Sequence, residues 1–107
     1  MKIKICYKDF LLGEIEKVDN LYVYTSLEDM EKFKEQYGFI NFELMDVKKK
    51  TYKTLPYFFL EFVDRLVFNP LMREKLNIDL EKDNYFDILY RYSKLPQNKN
   101  SFHFISK

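Results

Sequence analysis

Residues 55–68, LPYFFLEFVDRLVF, are the stretch on which the fold of this chain depends. Pro56 stands where the first turn of a helix tolerates a missing N–H group, and only three of the residues after it are charged. Those three, Glu61, Asp64 and Arg65, lie three or four residues apart and occupy one narrow strip of a helix. The pattern therefore predicts a central helix whose other sides are covered, either by the core of this domain alone or by the core together with a partner protein.

The length and composition of the chain indicate a single folded domain, residues 1–107. A core of this size can be stable without a disulfide or a metal ion. Hydrophobic residues make up 47% of the sequence and aromatic residues 19%, so material for a core is abundant and disorder is disfavoured.

The charge balance argues against nucleic acid as the main partner. Eighteen Lys and Arg residues stand against seventeen Asp and Glu residues, which leaves no overall basic footprint. A local basic patch remains at Lys48, Lys49 and Lys50. We interpret this run as a solvated loop, because Tyr52 is the only aromatic residue interleaved with it.

The N-terminal sequence and the cysteine count favour the cytoplasm. Cys6 is the only cysteine, so no internal disulfide can form. The first residues, MKIKIC, lack the apolar run of a signal peptide, and no stretch reaches the eighteen or so apolar residues of a membrane span. We expect a cytoplasmic protein with no membrane contact.

Hydrophobic periodicity predicts an α+β domain. Alternation predicts strands at 2–7, 11–17 and 21–25, which form an antiparallel meander, and a fourth strand at 39–46. A helix capped by Ser26 and ended by Gly38 precedes the fourth strand, and a charged loop, 47–54, follows it. After the central helix we expect a short helix at 71–76, a helix capped by Asp79 or Asp83 that runs to Ser93, and a closing strand at 101–105. The predicted architecture is a small antiparallel sheet, the meander plus further strands, with three to four short helices packed mainly on one side.

The sequence lacks the usual signatures of catalysis and cofactor binding. His103 and Cys6 are the only residues of their kinds, too few for a zinc site, and no orienting third group can be named for a Cys–His nucleophile. With only Gly13 and Gly38 in the chain, there is no glycine-rich phosphate loop. We therefore expect a protein that is not an enzyme, with no catalytic residues, no cofactor and no metal.

Several segments, taken in order, resemble the N-terminal domain of the HipA family of serine/threonine kinases. They resemble especially the stand-alone version of that domain, HipS, which is found in three-part HipB–HipS–HipT toxin–antitoxin systems. The similar segments are KICYKDFLLGEI at 4–15, LYVYT at 21–25, INFEL at 40–44, LPYFF at 55–59, DNYFDIL at 83–89 and FHFI at 102–105. The resemblance rests on their order and spacing across nearly the whole chain.

The resemblance implies an antitoxin-like module that binds and restrains a HipT-like or HipA-like kinase, with a HipB-like DNA-binding protein as an optional further partner. It places the contact near the end of the central helix, with aromatic side chains as anchors. The family usually carries Leu-Leu-Pro-Glu-Gly after its paired Phe, whereas this chain has FVDRLV at 62–67 and neither the Pro nor the Gly. The residues expected at the contact are Asp64, Arg65, Leu66, Val67 and Phe68, for which packing against the sheet is the alternative interpretation.

Two other hypotheses fit the same features. One is a phage or mobile-element inhibitor that binds a host defence enzyme, since small size and absent catalytic residues suit it equally well. The other is a homo-oligomeric structural protein that uses the aromatic helix as its interface.

Overall fold

The computed structural model of the protein describes residues 1–106 as one sheet and four helices. The elements follow in the order β1 (Lys2–Tyr7), β2 (Phe10–Val18), β3 (Leu21–Ser26), α1 (Asp29–Tyr37), β4 (Lys49–Tyr52), α2 (Tyr57–Val67), α3 (Pro70–Lys75), α4 (Tyr85–Tyr92) and β5 (Phe102–Ser106). Within this described range, no helix has the length and apolar character needed to cross a membrane.

The five strands form an antiparallel sheet in the order β4-β3-β2-β1-β5. Two-residue turns join the first three strands, and each turn begins with a residue in the left-handed region, Lys8 at φ 52° and Asp19 at φ 55°. The closing strand returns beside β1, where Phe104 lies opposite Ile5. The predicted α+β class, with a meander extended by further strands, is confirmed.

The two faces of the sheet differ in chemistry because side chains alternate along each strand. Ile3, Ile15 and Tyr24 follow one another across three strands and are fully buried. The neighbouring row on the opposite face runs through Lys4, Glu14 and Thr25, none of which is buried. The apolar face is therefore the one that must be covered.

The helices cover this apolar face through aromatic contacts. The ring of Phe62 in α2 lies 4.7 Å from that of Phe104 in β5, centroid to centroid. On the same face, nearer the other edge of the sheet, the ring of Phe86 in α4 lies 5.8 Å from that of Tyr22 in β3. Aromatic pairs at such distances add to the burial of area. The core is thus the layer between the sheet and its helices.

The predicted fourth strand is wrong. Residues 39–46 form successive tight turns, in which the N–H groups of Met45 and Val47 donate to carbonyls three residues earlier, at 3.0 and 3.2 Å. Phe42 and Leu44 are buried and Glu43 is exposed, so the alternation does report burial. Turns that bury every second residue produce the same pattern as a strand. The real β4, Lys49–Tyr52, lies in the segment predicted as a charged loop.

Two predicted helix caps are also wrong. Ser26 belongs to β3, where its N–H donates to Lys48 O at 2.7 Å, and α1 begins at Asp29. The fourth helix is capped by Asn84, whose Oδ1 accepts from the N–H of Asp87 at 2.9 Å, and not by Asp79 or Asp83. Ser26 is held by the backbone pairing of the sheet, and the carboxylates of Asp79 and Asp83 accept from the N–H groups of Glu81 and Asp79 instead.

Candidate partner-binding surface

Cys6 and His103 lie opposite each other on β1 and β5, and both are buried. The pKa of the Cys6 thiol is raised, mainly by burial. The thiol is therefore protonated at neutral pH, which is its unreactive form. The Nδ1 atom of His103 lies 2.9 Å from the carbonyl oxygen of Ser101. Among residues 1–106, no cluster of three or more His, Cys, Asp or Glu side chains could hold a metal ion.

Helix α2 is fixed at both ends by side-chain hydrogen bonds. At its start, the N–H of Phe58 donates to Glu43 Oε1, which satisfies one of the unpaired N–H groups of the first turn. Near its end, the hydroxyl of Tyr85 in α4 donates to Asp64 Oδ1. The helix is therefore held in one position relative to the sheet and to α4.

The five residues predicted at the partner contact divide into three groups by their exposure. Leu66 and Val67 are buried in the core, where they hold the helix in place. Asp64 is partly buried and bonded to Tyr85, so its carboxylate is already engaged. Arg65 and Phe68 are exposed and face solvent.

The turn from α2 into α3 holds two large apolar side chains in solvent. Phe68 is 79% exposed and Leu71 is 77% exposed, and we call residues 68–71 the α2–α3 corner. Asn69 fixes the corner, because its Oδ1 accepts from the N–H groups of Leu71 and Met72 at 3.0 and 3.3 Å. Pro70 then begins α3 with a preset φ angle. The two apolar side chains are thus presented on rigid backbone.

A shallow groove runs between α2 and the start of β5. Its volume is about 180 Å³, and its walls are formed by Phe58, Glu61, Phe62, Arg65, Ser101 and Phe102. Arg65 Nη2 lies 3.5 Å from Glu61 Oε1 across one turn of the helix. An exposed pair of this kind adds little stability, so the guanidinium can exchange Glu61 for a carboxylate of a partner at small cost.

Sequence reasoning missed Leu71 and Tyr57 as exposed apolar residues. Tyr57 is 67% exposed at the start of α2. Both residues directly follow a proline at a helix start, Pro56 as the N-cap of α2 and Pro70 as the first residue of α3. The Asn69–Pro70 pair was the available signal, since it indicated a corner between two helices.

Comparison of the chain with the models of known protein families found no match, and comparison with curated proteins found none.

Proposed function

We propose that this protein is a non-catalytic binding module that docks on a serine/threonine kinase of the HipT or HipA type and restrains it, as an antitoxin does. The observation that carries the proposal is the α2–α3 corner, where Phe68 and Leu71 are exposed on backbone fixed by Asn69. Large apolar side chains in this situation are the usual anchors of a protein–protein interface.

The charged residue next to the corner suits the same role. Arg65 is exposed one turn before Phe68, and arginine and aromatic residues are enriched among the residues that dominate binding energy. Leu66 and Val67 contribute from inside, because their burial keeps the corner in place. The proposed contact is therefore made by Arg65, Phe68 and Leu71.

The choice of a kinase as the partner rests on the order of the segments that resemble the HipA N-terminal domain. The Pro-Glu-Gly sequence typical of that family is absent, and α2 runs unbroken to Val67. In our proposal the corner that follows the helix takes the place of that missing loop. A HipB-like DNA-binding protein is the proposed third component, and the cytoplasm is the proposed location, where the single thiol of Cys6 stays reduced.

Co-expression with a HipT-type kinase tests this proposal, with growth rescue and co-purification as the two readouts. We expect the wild-type chain to rescue growth and to co-purify with the kinase. Phe68→Ser and Leu71→Ser should each weaken the complex about tenfold or more, since each removes an anchor. The matched control is Phe39→Ser, which removes a phenylalanine of similar exposure, 82%, elsewhere on the surface.

Two results would contradict the proposal. If the wild-type chain neither rescues growth nor co-purifies with the kinase, the kinase is not the partner. If Phe39→Ser weakens the complex as much as Phe68→Ser does, the interface does not lie at the corner.

A further inference from the structure

Strand β4 forms an outer edge of the sheet, with β3 as its only neighbour. It lies within the sequence KKKTYK at 48–53, in which all residues except Tyr52 are exposed. An edge strand carries a row of backbone N–H and C=O groups that can pair with a further strand.

The hydrogen-bond pattern identifies which backbone groups face outward. Lys48 O accepts from the N–H of Ser26 in β3 at 2.7 Å. Because bonding alternates along an antiparallel pair, the residues at even positions in β4 bond to β3, and Lys49 and Thr51 direct their N–H and C=O groups away from it. No other strand of the described chain pairs with that side of β4.

The edge carries an uncompensated positive charge. The ion pairs formed within residues 1–106 include none of its four lysines, which are Lys48, Lys49, Lys50 and Lys53. The acidic residues that precede the strand are engaged elsewhere. Asp46 lies 3.1 Å from Lys34, and Glu43 accepts from the N–H of Phe58. The lysines therefore remain available to a partner.

We infer that the β4 edge binds an extended acidic segment of another protein, which pairs with the backbone of Lys49 and Thr51 as a sixth strand. Backbone bonds would supply the pairing, and carboxylates beside the lysines would supply selectivity. A second copy of this chain is disfavoured, because pairing two β4 edges would bring lysine rows together.

Nucleic acid fits this edge less well than a peptide. The one aromatic ring of the segment, that of Tyr52, lies on the helix-covered side of the sheet, and Lys50 Nζ lies 5.1 Å from its centroid. The outward side of the edge therefore has no aromatic platform on which bases could stack. The outward side instead presents backbone N–H and C=O groups, which form hydrogen bonds with the backbone of another strand.

This inference does not depend on the proposed kinase contact. The β4 edge and the α2–α3 corner belong to different elements, and β4 lies at the end of the sheet opposite to β5, against which α2 packs. Variants at one surface can therefore be tested without altering the other.

The experiment uses ¹⁵N-labelled full-length protein and the peptide acetyl-Thr-Glu-Val-Glu-Val-Glu-Thr-amide. We expect backbone chemical shifts to change along β4 and amide exchange of Lys49 and Thr51 to slow about tenfold or more, since both N–H groups gain a hydrogen bond. The affinity should fall at high salt. The same peptide with Lys in place of each Glu is the control and should not bind.

Two variants locate the binding. Thr51→Pro removes an outward donor and should abolish peptide binding without removing a bond to β3. The double variant Lys49→Glu with Lys50→Glu reverses the charge and leaves the backbone intact, and it should abolish binding as well. The double variant Lys94→Glu with Lys99→Glu, an equal charge change at exposed residues between α4 and β5, should have no effect.

Three results would overturn the inference. One is binding of the lysine peptide as tight as that of the glutamate peptide. Another is tighter binding of a single-stranded oligonucleotide at the same lysines, which would identify a nucleic-acid site. The third is a dimer of the free protein, seen by sedimentation and abolished by Thr51→Pro, which would make the occupant a second copy of this chain.

Discussion

The ring of Tyr24 lies against the backbone of Gly13, on the neighbouring strand, so closely that a Cβ atom at position 13 would lie 2.6 Å from Tyr24 Cζ. Tyr24 is fully buried, so its ring cannot withdraw without displacing the core around it. We expect Gly13→Ala to lower the free energy of unfolding by about 1–3 kcal/mol in denaturant titrations. In a Tyr24→Leu background, Gly13→Ala should lower the free energy of unfolding by less than it does in the wild type. Strict additivity of the two changes would contradict the contact.

The hydroxyl of Tyr24 is buried and has no hydrogen-bond partner within residues 1–106. Removing it also removes the cost of taking an unpaired polar group out of water. Tyr24→Phe should therefore leave the free energy of unfolding unchanged or raise it by up to about 1 kcal/mol. A loss of stability in the same denaturant titrations would show that the hydroxyl is bonded in solution.

The sequence predicted the fold best where two independent signals agreed. For the meander these were the alternation of apolar residues and the turn residues between the strands, such as Asp19. For α2 they were Pro56 and the narrow charged strip. At 39–46 only alternation was available, and tight turns reproduced it. Strand β4 gave no apolar signal, because it is an edge strand with Lys49 and Lys50 exposed.

The candidate surface was only partly predictable for a physical reason. Composition and periodicity indicated that α2 has excess apolar surface, but exposure depends on which residues meet the sheet and α4. Leu66 and Phe68 look equivalent in the sequence, yet one is buried and the other is exposed. Likewise, the register that places Cys6 opposite His103 depends on strand order, which periodicity does not contain.

Stability should fall at alkaline pH because several tyrosines have a raised pKa. The bond to Asp64, and then burial, raise the pKa of Tyr85 above its ordinary value of 10.0, and burial raises the pKa of Tyr24 and Tyr92. A raised pKa in the folded state favours the neutral phenol. Its contribution to stability is complete below about pH 10 and is lost as the pH rises through the folded-state pKa.

Denaturant unfolding at a series of alkaline pH values measures this effect, and absorbance of the phenolate follows the titration. We expect the free energy of unfolding to decline from about pH 10 upward. Tyr85→Phe should make the decline less steep, whereas Tyr57→Phe, at an exposed tyrosine, should leave it unchanged. A stability that stays constant through this range would contradict the assignment.

Acid should weaken the attachment of α4 to the end of α3. A hydrogen bond from the N–H of Asp79 and the guanidinium of Arg91, 2.7 Å away, lower the pKa of Asp83 below its ordinary value of 3.8. A lowered pKa in the folded state stabilises at pH values above 3.8, and the contribution is lost as the pH falls through the folded-state pKa. Arg91 also donates to the carbonyl oxygens of Leu76 and Asn77, at 2.8 and 3.1 Å, so the pair joins the two helices.

Asp83→Asn tests this pair. The variant should be less stable at neutral pH and should lose less further stability on acidification than the wild type does. Asp9→Asn, at an exposed carboxylate in the first hairpin turn, serves as the matched control. If both variants lose stability with acid in parallel to the wild type, Asp83 is not the titrating group.

The β5 edge, in contrast to β4, is closed by a side chain. Gln97 Oε1 accepts from the N–H of Phe104 and Gln97 Nε2 donates to the Phe104 carbonyl, both at 2.8 Å, so the amide occupies the place of a further strand.

Gln97→Ala should lower the free energy of unfolding by about 1–3 kcal/mol, speed exchange of the Phe104 amide and promote self-association through the exposed edge. Amide exchange by NMR and sedimentation measure the last two effects, with Asn100→Ala as the control in the same loop. Unchanged Phe104 exchange in Gln97→Ala would show that another group protects this edge. The expected result would leave β4 as the edge that the fold keeps open.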